Sequence, residues 1–205
     1  MKKLLLATAN PHKILEMRNI LKDMPYDVMS IDELDINIIM PDETGNTFKD
    51  NAYIKAREVY RQIHQKYSDI WVLADDSGLS VDAIGGKPGV YSARYKGLTK
   101  SEDRLRAILE ELKDIPWERR RAHFTTVMCL ITEFAEVFTE GIVNGYITFK
   151  PRGHNGFGYD PIFYYPPLGK TYAEMTAYEK NTVSHRGLAV SKMKIILSAL
   201  AKELV

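Results

Sequence analysis

Asp75 and Asp76 stand side by side where an apolar run ends, in LADDSGLSVD at residues 73–82. Two neighbouring carboxylates can hold a hard cation or accept a proton, but adjacent side chains on an extended backbone point to opposite faces. The pair therefore meets one ion only if the chain turns, and Ser77-Gly78 is the expected turn. The same residues equally suit an Asp-rich turn facing solvent. A second group sits at Thr8, Asn10 and Lys13, in TANPHK. A hydroxyl, an amide and an ammonium within one turn of a helix start, with outward backbone N–H groups, would bind an anion such as phosphate. The alternative is an ordinary N-cap beside a solvated lysine. Lys55 shares a helix face with Asn51 four residues earlier; it is a further phosphate candidate if that face borders a cleft, and otherwise one more surface lysine, the commoner case. Lys180, His185 and Arg186 cluster near the start of the last helix, where cations oppose the helix dipole and so suggest an anionic or acceptor-rich ligand, the alternative being that His185 and Arg186 cap neighbouring carbonyls.

The elements that must position these groups follow from the hydrophobic pattern. Leu4 to Ala7 and Trp71 to Ala74 read as short buried strands, each ended by turn chemistry, which places Asp75 and Asp76 at a strand's C-terminal end. Pro11 suits the first turn of a helix carrying Ile14, Met17, Ile20 and Leu21 on one face. Tyr26, Val28 and Met29 suggest another strand, and residues 32–46 a loop rich in acids. From about Thr47 to Lys66 the stripe Phe48, Ala52, Ala56, Val59, Tyr60 and Ile63 predicts a long helix. Residues 84–91, with three glycines and a proline, form a shaped loop that fits neither a P-loop nor a dinucleotide fingerprint. A helix from Ser101 through Leu112 ends before Pro116, and residues 122–134 and 136–149 form a strand hairpin. The loop at 151–163 alternates glycine with Phe157 and Tyr159, so it is expected to stack a flat ring. Ser184 should cap a final helix with Leu188, Ser191, Ile195 and Ala199 on its apolar face.

Bulk properties narrow the partners. At 205 residues with 45% hydrophobic content, the chain suits one domain with a sizeable core. A net charge of +1, from 28 basic and 27 acidic residues, offers no global field for nucleic acid or an anionic membrane. The single cysteine, Cys129, lies in an apolar run and reads as a buried thiol in a reducing compartment. No apolar run approaches the roughly 18 residues of a spanning helix, so a cytoplasmic protein is expected.

Six blocks together carry a resemblance: TANPHK (8–13), ETGNTFKDNAYIKA (43–56), LADDSGLSVD (73–82), GKPGVYSARY (86–95), PRGHNGFGYDPIF (151–163) and AEMTAYEKNTVSHRGLA (173–189). In this order they resemble the inosine triphosphate pyrophosphatase family, with Ala9 standing where glycine is common. The resemblance implies an α/β fold with a central mixed, twisted sheet, flanking helices and two lobes around an active-site cleft, in a single domain over residues 1–205, and a homodimer. It implies Mg²⁺-dependent hydrolysis of ITP, dITP and XTP to monophosphate and pyrophosphate. Asp76 is then the proton acceptor and a metal ligand with Glu43. Thr8, Ala9, Asn10, Pro11, His12, Lys13, Lys55 and Ser77 fall on triphosphate contacts. Phe157, Gly158, Tyr159, Asp160, Lys180, His185 and Arg186 fall on nucleoside recognition. A carboxylate bound directly to Mg²⁺ is a poor base, which leaves Asp75 or an outer-sphere Asp76 to carry the proton. The competing readings are a Maf-like nucleotide pyrophosphatase of other base specificity and a non-catalytic nucleotide-binding module.

Overall fold

The computed structural model describes residues 2–203. The leucine run forms β1 (Lys2–Leu6), and Pro11, whose missing N–H costs nothing there, opens α1 (Pro11–Leu21). β2 (Tyr26–Ser30) and the acidic loop lead to α2 (Phe48–Ile63), which Thr47 and Asp50 close with a reciprocal capping box. Next come β3 (Ile70–Val81), the two-residue β4 (Lys87–Pro88), α3 (Ser101–Glu111), β5 (Arg121–Ile131) and β6 (Glu136–Ile147). The chain finishes with β7 (Phe163–Tyr165), β8 (Lys170–Thr171), α4 (Ala177–Val183) and α5 (His185–Glu203). One mixed sheet runs in the order β2-β1-β3-β5-β6-β7-β8, with β4 paired to β3. β1 is parallel to β2 and β3, whereas the β3–β4, β6–β7 and β7–β8 pairs are antiparallel.

The chain divides into two compact units. The first comprises Met1–Asp76, Thr126–Gly141 and Arg186–Val205, and its part of the sheet is covered by helices on both faces. On one face Leu4, Leu6, Leu73, Met128 and Leu130 pack with Met17 and Leu21 of α1 and Ala189, Val190, Met193 and Leu197 of α5. On the other, Leu5, Val72, Ala74, Cys129 and Ile131 pack with Ala52, Ala56, Val59 and Ile63 of α2. The alternation of strand side chains sorts each strand's residues between these two layers. The second unit comprises Ser77–Thr125 and Ile142–His185. Its core joins Leu79 and Val81 to Phe124, Val143, Ile147 and Phe163, to Leu105 and Ile108 of α3, and to Leu112 that caps it. In it Arg120, almost fully buried, donates to the carbonyls of Leu112, Ile115, Ile147 and Thr148 and so ties the end of α3 to the end of β6.

Two expectations are corrected. β3 does not stop at Ala74 and no turn occurs at Ser77-Gly78, because the strand, 12 residues long, runs on to Val81. Ladder partners and buried counter-charges override the turn preference of Ser and Gly. In α5 the stripe Leu188, Ser191, Ile195 and Ala199 faces solvent, with Ile195 72% exposed, while Ala189, Val190, Met193 and Leu197 are buried. That helix carries apolar residues nearly all round, so spacing alone does not choose its buried face. β4, β7, β8 and α4 had no clear signal in the sequence, being two to seven residues long.

Candidate active site

Leu6, the last residue of β1, pairs with Leu73, and Ala7 N–H donates to the Leu73 carbonyl at 2.8 Å. Asp75 and Asp76 thus lie just past the point where β1 leaves the sheet. β3 stays extended there, so the two acids point to opposite faces. Asp75 shares the face of Leu73, and its Oδ2 meets Lys13 Nζ of α1 at 2.9 Å and Arg186 Nη2 of α5 at 3.3 Å. Arg186 Nη1 reaches Glu16 Oε2 at 2.6 Å. Asp76 shares the face of Ala74, towards α2. Its Oδ2 accepts from Asn51 Nδ2 at 3.0 Å, and its Oδ1 lies 3.5 Å from Lys55 Nζ. Lys55 Nζ also meets Glu43 Oε1 at 2.6 Å.

Neighbouring residues therefore acquire different electrostatic characters. Burial by itself would raise Asp75, which is 0% exposed, but Lys13 and Arg186 overcome it and hold the carboxyl below the usual carboxylate range. Burial pushes Asp76 up, the charge of Glu43 adds to this, and Lys55 only partly offsets it. Lys55 is raised, because Asp76, Asp75 and Glu43 together outweigh its burial. Lys13 is lowered, since burial prevails over Asp75 with Lys55 and Arg186 adding to it. Asp75 is a structural anion committed to two cations, and Asp76 is the acid with raised proton affinity.

The turn at residues 8–13 is braced by its own hydrogen bonds. Asn10 N–H donates to Thr8 Oγ1, the His12 and Lys13 N–H groups both donate to Asn10 Oδ1, and Ile14 N–H donates to the Asn10 carbonyl. Pro11 has no N–H. The helix start is a self-satisfied N-cap, and the cationic element of this turn is the Lys13 side chain. Ala9, Pro11 and His12 are exposed on it, and Thr8 is buried. Ser77 follows Asp76 on β3 and begins the second unit.

In the second unit Asp160 organises the glycine-rich loop. Its Oδ2 accepts from Phe157 N–H at 2.7 Å and from Lys180 Nζ at 2.6 Å. Gly156 has φ +72°, and a Cβ there would strike that same carboxylate, so the position tolerates only glycine. Lys180 Nζ sits 4.7 Å from the Phe157 ring centre, leaving Phe157 half-buried beside Gly158. Tyr159 is placed differently: it is buried and its hydroxyl donates to the Ser92 carbonyl at 3.0 Å, so it ties loop to loop rather than offering a face. His185 lies parallel to Phe124 with ring centres 4.4 Å apart. His185 and Arg186, neighbours in sequence, serve different units, and the acids answering Arg186 at the start of α5 are the chain's own Asp75 and Glu16.

Two residues with evident roles had no assignment from sequence. Asn51 bonds both Asp76 and, through Oδ1, Gly45 N–H at 2.8 Å, which secures the loop bearing Glu43. Its position one turn before Lys55 on α2 was the available signal. Glu16, three residues after Lys13, was signalled in the same way.

The fold and the site together define a class: a mixed α/β sheet with buried carboxylates and lysines gathered where β1 leaves it. The model of the Ham1 family matches residues 4–196, a span that includes all six sequence blocks. A Bacillus subtilis protein named dITP/XTP pyrophosphatase is 44% identical over 201 residues, covering 97% of this chain and 98% of the relative. Another of that name from Dictyoglomus thermophilum is 41% identical over 201 residues, covering 97% and 96%. The solved structure of a HAM1 protein from Coxiella burnetii superposes with a TM-score of 0.84 at 37% identity, covering 97% of this chain and 100% of that one. The chain belongs to the Ham1 family. The resemblance read from the six blocks, and the central mixed sheet with flanking helices, are borne out.

Proposed function

We propose that the protein is a hydrolase that cleaves the noncanonical purine nucleoside triphosphates ITP, dITP and XTP to the monophosphate and pyrophosphate, removing them from the nucleotide pool. The names of relatives aligned over nearly their whole length support this reaction. The observation that carries the mechanism is the separation of Asp75 from Asp76: one is neutralised by Lys13 and Arg186, while the other shares Lys55 with Glu43.

Glu43 and Asp76 fit a magnesium site. Oxygens of both converge on one point, the Lys55 ammonium, and two carboxylates completed by substrate phosphates are the usual donor set for this ion. When bound, the ion would act as a Lewis acid on the phosphoryl oxygens. The chain's own groups do the rest. Lys55 and Lys13 neutralise the triphosphate, assisted by Thr8, Asn10 and Ser77, and Asp76, in the outer-sphere role that leaves a carboxylate basic, takes the proton of the attacking water. Asp75 keeps its charge as the fixed partner of Lys13 and Arg186. On the nucleoside side, Phe157 rather than Tyr159 supplies the stacking face, with Asp160, Lys180, His185 and Arg186 as polar partners.

Both units are read as one catalytic domain, because the family match runs through them. The protein is further read as a cytoplasmic homodimer that binds no nucleic acid; near-neutral charge supports the last point, and no described helix is long and apolar enough to cross a membrane. Incubation with ITP and Mg²⁺ tests the reaction: inosine monophosphate and pyrophosphate are expected in equal amounts. Inosine diphosphate as first product would refute it.

A further inference from the structure

Lys55 occupies a position that the metal reading cannot leave undisturbed. Its ammonium is 2.6 Å from Glu43 and 3.5 Å from Asp76, the two acids assigned to the divalent ion, and the residue is buried. A divalent cation on these oxygens repels an ammonium held at the same point. Lys55 is not the only tie at this point. Asp76 is held by Asn51, and the Glu43 loop is fastened by Gly45 N–H on the same Asn51 amide. Lys55 itself is a point charge on a flexible four-carbon stem, rooted on α2 one turn after Asn51. Lys13 differs, since its ion pair is with Asp75 on the opposite face of β3.

We propose that Lys55 is an exchangeable counter-ion: it neutralises Glu43 and Asp76 until a divalent cation displaces it, and the released ammonium then takes a substrate phosphate. This rests on reading Glu43 and Asp76 as metal acids. Metal and phosphate then bind cooperatively through one side chain. The metal releases the cation that the phosphate needs, and the phosphate removes the competitor for the metal's oxygens.

The test measures Mn²⁺ binding without nucleotide, counting free Mn²⁺ by electron paramagnetic resonance. Lys55→Met should bind Mn²⁺ tighter than the unmodified protein by about tenfold or more, because the ion no longer competes with an ammonium for the two carboxylates. Lys13→Met should change affinity much less. Glu43→Gln should weaken binding in both the native and the Lys55→Met backgrounds. If Glu43→Gln weakens Mn²⁺ but Lys55→Met fails to tighten it, the exchange is refuted while the metal site stands. If Glu43→Gln has no effect in either background, the metal site itself is refuted. Should Lys55→Met fold poorly, lysine-selective ¹⁵N NMR of the unmodified protein decides the same question. Mg²⁺ alone should move the Lys55 ammonium signal and speed its proton exchange, and a signal unmoved at saturating Mg²⁺ overturns the proposal.

Discussion

Asp75→Asn and Asp76→Asn are chemically identical changes at neighbouring positions, and the structure requires them to have opposite consequences. At 75 the carboxylate is fully buried between Lys13 Nζ at 2.9 Å and Arg186 Nη2 at 3.3 Å. Neutralising it leaves two cations facing an amide, and removing one partner of a buried ion pair costs about 3–5 kcal/mol. Arg186 keeps Glu16, and Asn keeps one acceptor oxygen, so the lower end, about 3 kcal/mol, is expected. For a chain of this size that lowers Tm by about 6–12 °C. At 76 the folded protein raises the carboxyl's proton affinity, so its charge is a burden to the fold at neutral pH, and Lys55 retains Glu43 when it is removed. Asp76→Asn is therefore expected to melt within about 1 kcal/mol of the parent or above it, while pyrophosphate release is abolished. The pH dependence separates them further. Asp75 has a depressed folded pKa, so its contribution is fully present above the unfolded value near 3.9 and is lost as pH falls through the folded one; below about pH 4 the parent should lose stability more steeply than Asp75→Asn. Thermal melts at neutral pH and urea unfolding between pH 5 and pH 2 measure both effects. Equal destabilisation by the two substitutions, or full activity in Asp76→Asn, would refute the division of labour between the two acids.

Glu43→Gln should raise the Mg²⁺ concentration needed for half-maximal rate by about tenfold or more, with a smaller change at saturating Mg²⁺; an unchanged titration would leave Glu43 as a partner of Lys55 alone. Steady-state kinetics should give kcat/KM for ITP and XTP on the order of a hundredfold or more above that for ATP, with GTP between, because side chains able to donate, such as Arg186 and His185, suit a six-keto oxygen and reject a six-amino group. Equal values for ITP and ATP would exclude that recognition. Cys129 is buried, and burial pushes its thiol up to about 12, so a thiol reagent at pH 8 should titrate no group in the native protein and one group after denaturation.

The local elements were legible because they are written in local signals. Pro11 marks a helix start, and the stripe from Phe48 to Ile63 has one periodicity and one buried face. The six blocks likewise identified the family, since motif identity and order survive without coordinates. What tertiary structure decided is which charge meets which. Asp75 and Asp76 look equivalent in a sequence, and Ser77-Gly78 invites a turn that would bring them together. Instead the ladder on β3 keeps the backbone extended, and its alternation sends Asp75 to the face covered by α1 and α5 and Asp76 to the face covered by α2. The partners that give each acid its character come from far along the chain, Arg186 lying 111 residues from Asp75. Proton affinity in a buried site is set by burial and by charges within a few ångströms, and those distances exist only once the strands and helices have packed.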